Sequence, residues 1–291
     1  MKTLRVGTRA SALAQRQTEL FVEQVRTMDP DVDVEPVLLS TRGDREKERP
    51  LSEIGGKGLF VRDLEEALLN GLIDVAVHSA KDLPAVTPDG LEIAAVSARE
   101  DPADLLLTRK GEPTPYPFVV GTSSPRRALA LSAMFPGCTT TPLRGNITTR
   151  LQKLIDGELD AILLAAAGVR RLSPDLTGIR IQKLDPNLFL PAPCQGILAY
   201  ETLAGSETAQ WLHALDHTQT HAVFTVEKRL LQLLGADCHD AVGIYGESLD
   251  EDTFRVSAFY ETFRVLRKEV PKADPEPALS ELVALLKAGR I

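Results

Sequence analysis

The chain has 291 residues, enough for about two domains of ordinary size. Its 43% hydrophobic and 25% charged residues exclude a disordered, collagenous or wholly coiled-coil protein. The net charge of −8 argues against a surface for duplex nucleic acid, which needs clustered cations to neutralise phosphates, although it leaves room for a local basic pocket.

The N-terminal segment Leu4 to Gly7 reads as a buried strand. Arg5 and Arg9 interrupt any apolar run there, so a strand of the mature fold is expected and not a signal peptide. A helix is expected from Ser11, with Leu13, Gln17, Leu20 and Val25 on its pattern. The longest small or apolar run, Ala161 to Val169, is too short for a bilayer span, and a cytoplasmic protein without a membrane partner is expected. The segment Gly55-Gly56-Lys57-Gly58-Leu59-Phe60 is not a phosphate-binding loop. Leu51 and Gly58 occupy the positions where that motif needs glycine and a hydroxyl, so a lid with Lys57 and Phe60 at its tip, or a plain solvated loop, is expected. A helix with Val61, Leu64 and Leu68 on one face then leads to a strand at Asp74–His78. Lys81 and Asp82 follow at the mouth of that strand, a position where α/β proteins place working residues and where surface ion pairs also occur.

The βα alternation continues through Phe118–Val120 with a helix from Pro125, through Leu143 with a helix bearing Leu151 and Leu154, and through Ile162–Ala165. Two α/β lobes are therefore expected. From about Thr220 the pattern changes to a helix with Val223, Val226, Leu230 and Leu233, terminated by Gly235. Short strands are expected at Ala241–Tyr245, Phe254–Tyr260 and Arg264–Val270, and a closing helix carries Leu279, Leu282 and Leu286.

Three strand-to-helix turns share one composition: Thr8-Arg9-Ala10-Ser11, Thr122-Ser123-Ser124-Pro125-Arg126-Arg127, and Arg144-Gly145-Asn146 followed by Arg150. Ser11, Ser124 and Asn146 are either simple helix caps or parts of anion cradles. A guanidinium near a helix N-terminus opposes the dipole, so its repetition favours a bound carboxylate or phosphate. His213, His217 and His221 are spaced four apart, but the Asp216 and Gln219 pair reads as a capping box that leaves His213 outside the helix, so no metal site is expected. Asp237-Cys238-His239-Asp240 cannot converge on one ion from adjacent positions, and Cys238 by itself reads as a small buried hydrophobe. With Cys138 and Cys194 it makes three widely spaced cysteines, which gives no disulfide framework.

Taken together, these strings resemble the porphobilinogen deaminase family, also called hydroxymethylbilane synthase. They are Gly-Thr-Arg-Ala-Ser-Ala-Leu-Ala from Gly7, Gly-Gly-Lys-Gly-Leu-Phe from Gly55, His-Ser-Ala-Lys-Asp-Leu-Pro from His78, Arg-Glu-Asp-Pro from Arg99, Gly-Thr-Ser-Ser-Pro-Arg-Arg from Gly121, Leu-Arg-Gly-Asn from Leu143, and Gln195-Gly196. The resemblance implies two lobes like type II periplasmic binding proteins with the active site in the cleft between them, plus a small C-terminal α+β domain. The implied division is 1–98 with 197–217, 99–196, and 218–291.

It further implies a monomeric transferase that condenses four porphobilinogen molecules into hydroxymethylbilane, releasing ammonia, on a dipyrromethane cofactor tethered to Cys238 by a thioether, in the route to haem. Cofactor contacts fall on Lys81, Asp82, Ser123, Arg126 and Arg127. Substrate contacts fall on Arg9, Ser11, Thr122, Arg144, Arg150, Arg171 and Gln195, with Lys57 and Phe60 on an active-site loop. Asp82 is the implied catalytic carboxylate, facing the positive charge that develops when ammonia leaves. Two departures stand out: Ala236 and Asp237 precede the cysteine where the family usually has two glycines, and Glu53 replaces a basic residue. The competing reading is a two-lobed anion-binding protein without catalysis.

Overall fold

The structure, a computed structural model, describes residues 3–39, 61–111, 115–237 and 239–289. Lys57, Phe60, Glu53 and Cys238 lie outside the described residues. The chain divides into two compact units, residues 1–99 with 197–222, and residues 100–196 with 223–291.

In the first unit, β1 (Thr3–Arg9) is followed by α1 (Ala12–Met28), β2 (Asp33–Leu39), α2 (Arg62–Leu69), β3 (Val75–Ser79) with a 3₁₀ turn over Ala80–Asp82, and β4 (Leu91–Val96). The chain returns to this sheet with β10 (Leu198–Leu203). The strand order is β2-β1-β3-β10-β4. β1 is parallel to β2 and β3, whereas β10 runs antiparallel to both β3 and β4. α1 packs its buried Phe21 and Val25 on this sheet, where the Phe21 ring lies 4.7 Å from that of Tyr200. A short helix α6 (Glu207–Leu212) covers the same core with Ala209 and Leu212.

The second unit repeats the plan. Its sheet contains β5 (Asp104–Arg109), β6 (Val119–Gly121), β7 (Thr139–Thr141), β8 (Ala161–Ala165) and β9 (Ile179–Lys183), in the order β7-β6-β8-β5-β9. β6 is parallel to β7 and β8, and β5 is the antiparallel insertion beside β8 and β9. The helices are α3 (Pro125–Met134), α4 (Ile147–Ile155) and α5 (Ala166–Leu172). Gly121 ends β6 where a Cβ would meet Leu159 at 2.6 Å and Leu143 at 2.9 Å, so only glycine lets the chain turn this close to its neighbours.

The same unit holds α7 from Val223 onward (the helix runs Thr218–Leu234), an antiparallel sheet of β11 (Val242–Ser248), β12 (Thr253–Tyr260) and β13 (Thr262–Pro271), and α8 (Glu276–Ala288). α8 buries Leu279, Leu282 and Leu286, as its spacing required. Phe259 of β12 is buried in one core with Leu106, Val120 and Leu131 of the preceding α/β sheet. Gly235, at φ +68°, ends α7, and Ala236 N–H reaches back to Leu231 O, a Schellman closure. The fold class is therefore α/β in two lobes with a smaller α+β portion. Among the described residues no helix is long and apolar enough to cross a membrane.

One local expectation is corrected. The capping residue of α7 is His217, not Asp216: His217 Nδ1 accepts the Thr220 N–H at 3.3 Å and lies 2.8 Å from the Thr220 hydroxyl. Asp216 is drawn away to the end of β4, where its Oδ1 accepts the Val96 N–H at 2.9 Å and sits 2.8 Å from His221 Nδ1. A tertiary partner outcompetes the local cap.

Candidate active site

In open α/β sheets, working groups gather at the carboxyl ends of parallel strands. The first unit follows this rule. β1 delivers Arg9 and Ser11, and the Ser11 hydroxyl accepts the Ala14 N–H at 3.2 Å as the cap of α1. β3 delivers the 3₁₀ turn with half-buried Lys81 and exposed Asp82. This turn is anchored by Ala80 N–H donating to Ile197 O at 3.0 Å, and by Gln17 Nε2 donating to the Ser79 hydroxyl at 2.8 Å.

Under the turn lies a buried acidic cluster that the sequence reading missed. His78 Nε2 and Glu201 Oε2 are 3.0 Å apart, and Glu65 from α2 is 7% exposed with Oε1 lacking a partner. Burial, then the charge of Glu201, raises the Glu65 carboxyl from 4.5 to about 6, against the weaker opposing pull of His78 and Arg62; Glu66 adds to the rise. Protonated Glu65 therefore favours the fold. That contribution is fully present below pH 4.5 and is lost as pH rises through about 6. Glu65→Gln is expected to stabilise the protein by about 2 kcal/mol above pH 7 and to have little effect at pH 4, read from urea unfolding at the two pH values.

The second unit carries cationic turns of its own. After β6, Thr122 Oγ1 accepts the Ser124 N–H at 3.2 Å and the Ser124 hydroxyl caps α3 by accepting the Arg127 N–H at 3.4 Å. Ser123 Oγ exchanges two 3.1 Å bonds with Leu143 N–H and Leu143 O, stitching this turn to the one after β7. In that second turn Gly145 takes φ +106°, and the Asn146 side chain caps α4 by accepting from Thr149 N–H at 2.8 Å. Ser11, Ser124 and Asn146 are thus caps whose side-chain acceptors are already committed. Arg144 stands beside this turn, and α5, which follows β8, carries Arg171, whose Nη2 donates to Gly196 O at 2.5 Å.

Arg150 donates from Nε to Gly145 O at 2.8 Å. Burial and the positive charge of Arg127 pull its guanidinium down to about 10, and among the described residues no carboxylate pairs with it. A partly buried guanidinium without a carboxylate partner is suited to an anionic ligand. Its donor set suits the acidic arms of a dipyrromethane.

Arg126, Arg127 and Gln195 sit deep in the second unit. Arg126 and Arg127 do not stand open: they are 4% and 7% exposed, and each places Nη2 2.7 Å from a separate oxygen of fully buried Asp104. Burial alone would push the Asp104 carboxyl up, but the charges and hydrogen bonds of the two guanidiniums hold it well below the usual carboxylate range. Gln195, expected to touch substrate, is 1% exposed, and its Nε2 donates to Pro102 O at 2.7 Å and Asp104 Oδ1 at 3.1 Å. Gln195 is thus a support for Asp104 with no exposed surface to offer a substrate. Beside Cys238, Asp237 closes a turn: its Oδ1 accepts the His239 N–H at 2.8 Å while its own N–H donates to Asp240 Oδ2 at 2.8 Å.

Residues 4–210 match the family model described as "Porphobilinogen deaminase, dipyromethane cofactor binding domain". The chain is 43% identical over 253 residues to the porphobilinogen deaminase of Streptococcus sanguinis, covering 85% of this chain and 83% of that one. With the porphobilinogen deaminase of Lachnospira eligens it shares 38% identity over 293 residues, 97% of this chain and 98% of the other. Among solved structures it is similar to the periplasmic VFT2 domain of Bordetella pertussis BvgS, at TM-score 0.44, 15% identity and coverage of 77% and 92%. It is also similar to the periplasmic aliphatic sulphonate binding protein SsuA of Escherichia coli, at TM-score 0.42, 15% identity and coverage of 80% and 70%.

Proposed function

The chain belongs to the porphobilinogen deaminase family, a family of transferases in tetrapyrrole synthesis that carry a dipyrromethane cofactor, and from that premise we propose how its own residues do this work. The reaction deaminates porphobilinogen and joins four such units into hydroxymethylbilane. The observation that carries the assignment of the binding site is Arg150, a partly buried guanidinium at the turn after β7 that pairs with no carboxylate among the described residues; porphobilinogen and its oligomers carry an acetate and a propionate on every ring.

When bound, the dipyrromethane supplies the free pyrrole carbon to which the first substrate unit is joined. Arg150, Arg144 and Arg171 hold carboxylate arms, with Thr122 and Ser123 shaping the turn from which they project. In the first unit, Arg9 and Lys81 add cationic donors beside the Ser11 cap. Asp82, exposed on the 3₁₀ turn, faces substrate as a carboxyl group that gives its proton to the leaving amine and, as the carboxylate so formed, steadies the positive charge left when ammonia departs. Cys238 is the attachment point, and Lys57 and Phe60 are carried over from the resemblance as active-site loop residues. The division into 1–98 with 197–217, 99–196 and 218–291, the thioether, a monomeric state, a cytoplasmic location and a place in haem synthesis belong to the same proposal and rest on the resemblance.

Intact-mass measurement of the protein purified from cells that make porphobilinogen tests this reading. The wild type is expected to exceed its sequence mass by two pyrrole units, and Cys238→Ala to lack the increment and all turnover. An unmodified wild type that binds carboxylates without turnover would establish the non-catalytic reading instead.

A further inference from the structure

In the second unit a buried polar cluster joins Asp104 to both arginines of the turn after β6. Asp104 opens β5 at 0% exposure. Its Oδ2 takes Arg126 Nη2 and its Oδ1 takes Arg127 Nη2, both at 2.7 Å, and Oδ1 also accepts Gln195 Nε2 at 3.1 Å. Each guanidinium is fixed a second time through Nη1, Arg126 to Leu190 O at 2.6 Å and Arg127 to Leu163 O at 3.0 Å. The Nε atoms of both are buried without a partner. Two forks gripped at both ends have little rotamer freedom left, and one anion shared between two cations leaves a single net positive charge.

We propose that Asp104, braced by Gln195, is a positioning residue for the carboxylate-binding cations of this unit: it fixes Arg126 and Arg127 before any ligand arrives and sets how much charge they present beside Arg150. The inference rests on the reading of these arginines as binders of cofactor and substrate carboxylates. Preorganisation lowers the ordering cost of binding, so its loss should fall on affinity more than on the chemical step. Removing the Asp104 charge also leaves neighbouring guanidiniums uncompensated, so they would splay apart or fill with solvent anions.

The test is steady-state kinetics with porphobilinogen together with intact mass, on Asp104→Asn and Gln195→Met, with Asp74→Asn as a control that breaks the part-exposed Arg5–Asp74 pair of the other unit. Asp104→Asn is expected to raise KM about tenfold or to lose the two-pyrrole mass increment. Gln195→Met, which keeps every charge, is expected to raise KM about threefold with kcat little changed. Asp74→Asn should lower Tm without moving KM. If both cluster variants lower Tm but keep the wild-type KM and mass, the cluster merely supports the fold and the proposal is overturned. Should Asp104→Asn fail to fold, Gln195→Met decides alone, an unchanged KM counting against the proposal. Failure of the wild type itself to turn over porphobilinogen would bring down the functional reading, a result distinct from normal wild-type turnover with unmoved variants.

Discussion

Asp82→Asn is expected to fold normally, retain the two-pyrrole mass increment and lose turnover by a factor of about 100 to 1,000, the usual loss when one preorganised group facing developing charge is removed. The asparagine has the same shape and can still form a hydrogen bond, but it cannot offset a positive charge or give up a carboxyl proton. The stability cost is expected to stay within about 0.5 kcal/mol, because Asp82 is exposed and sits in a turn held by the Ala80 N–H bond to Ile197 O and by the Gln17 bond to Ser79. Measuring kcat and intact mass on one preparation separates the two roles. Turnover equal to wild type would remove Asp82 from the chemistry.

A second large effect is expected where no ligand is involved. Glu227 of α7 is fully buried, and its two oxygens accept two backbone N–H groups, Cys194 at 2.5 Å and Gly246 at 2.7 Å. Cys194 is held there at φ +60°, a left-handed backbone that a non-glycine residue keeps only when its surroundings enforce it. Glu227→Ala strands both donors in a dry interior and should cost about 4 kcal/mol, the sum of two unmade buried bonds. Glu227→Gln keeps one acceptor but turns an amide N–H₂ toward the other donor, so roughly half that loss is expected. Urea unfolding with the slope held free measures both. A loss under about 1 kcal/mol for the alanine variant would mean that water replaces the carboxylate.

The expectations that held in detail were those whose physics is local. Ser11, Ser124 and Asn146, left open in the sequence between caps and anion cradles, are caps in the structure, because each cap bond reaches only three residues ahead. Leu279, Leu282 and Leu286 bury together because a helix places them on one face, and Gly235 ends α7 because it takes a positive φ. The strands β5 and β10 gave no comparable signal. Both are buried throughout or nearly so, hence lack alternation, and each is the antiparallel insertion whose partners lie far off in the chain. That the two lobes share one strand plan was also hidden. Gly7-Thr8 and Gly121-Thr122 end corresponding strands, but the inserted strand comes last in one lobe and first in the other, which removes any fixed period.

The sequence by itself therefore determined the longer helices, the cap positions of α1, α3 and α4, the family strings and the cationic character of the turns, since all of these depend on neighbours within a few residues. Only the tertiary structure decided how Arg126 and Arg127 are held. Arg126 and Arg127 are legible in the chain as cationic turn residues, but the Asp104 carboxylate that fixes them, 22 and 23 residues away, and Gln195, 91 residues from Asp104, are brought to them only by the fold. Burial then makes that pairing compulsory, because an ion taken out of water must find its counter-charge wherever the fold supplies one.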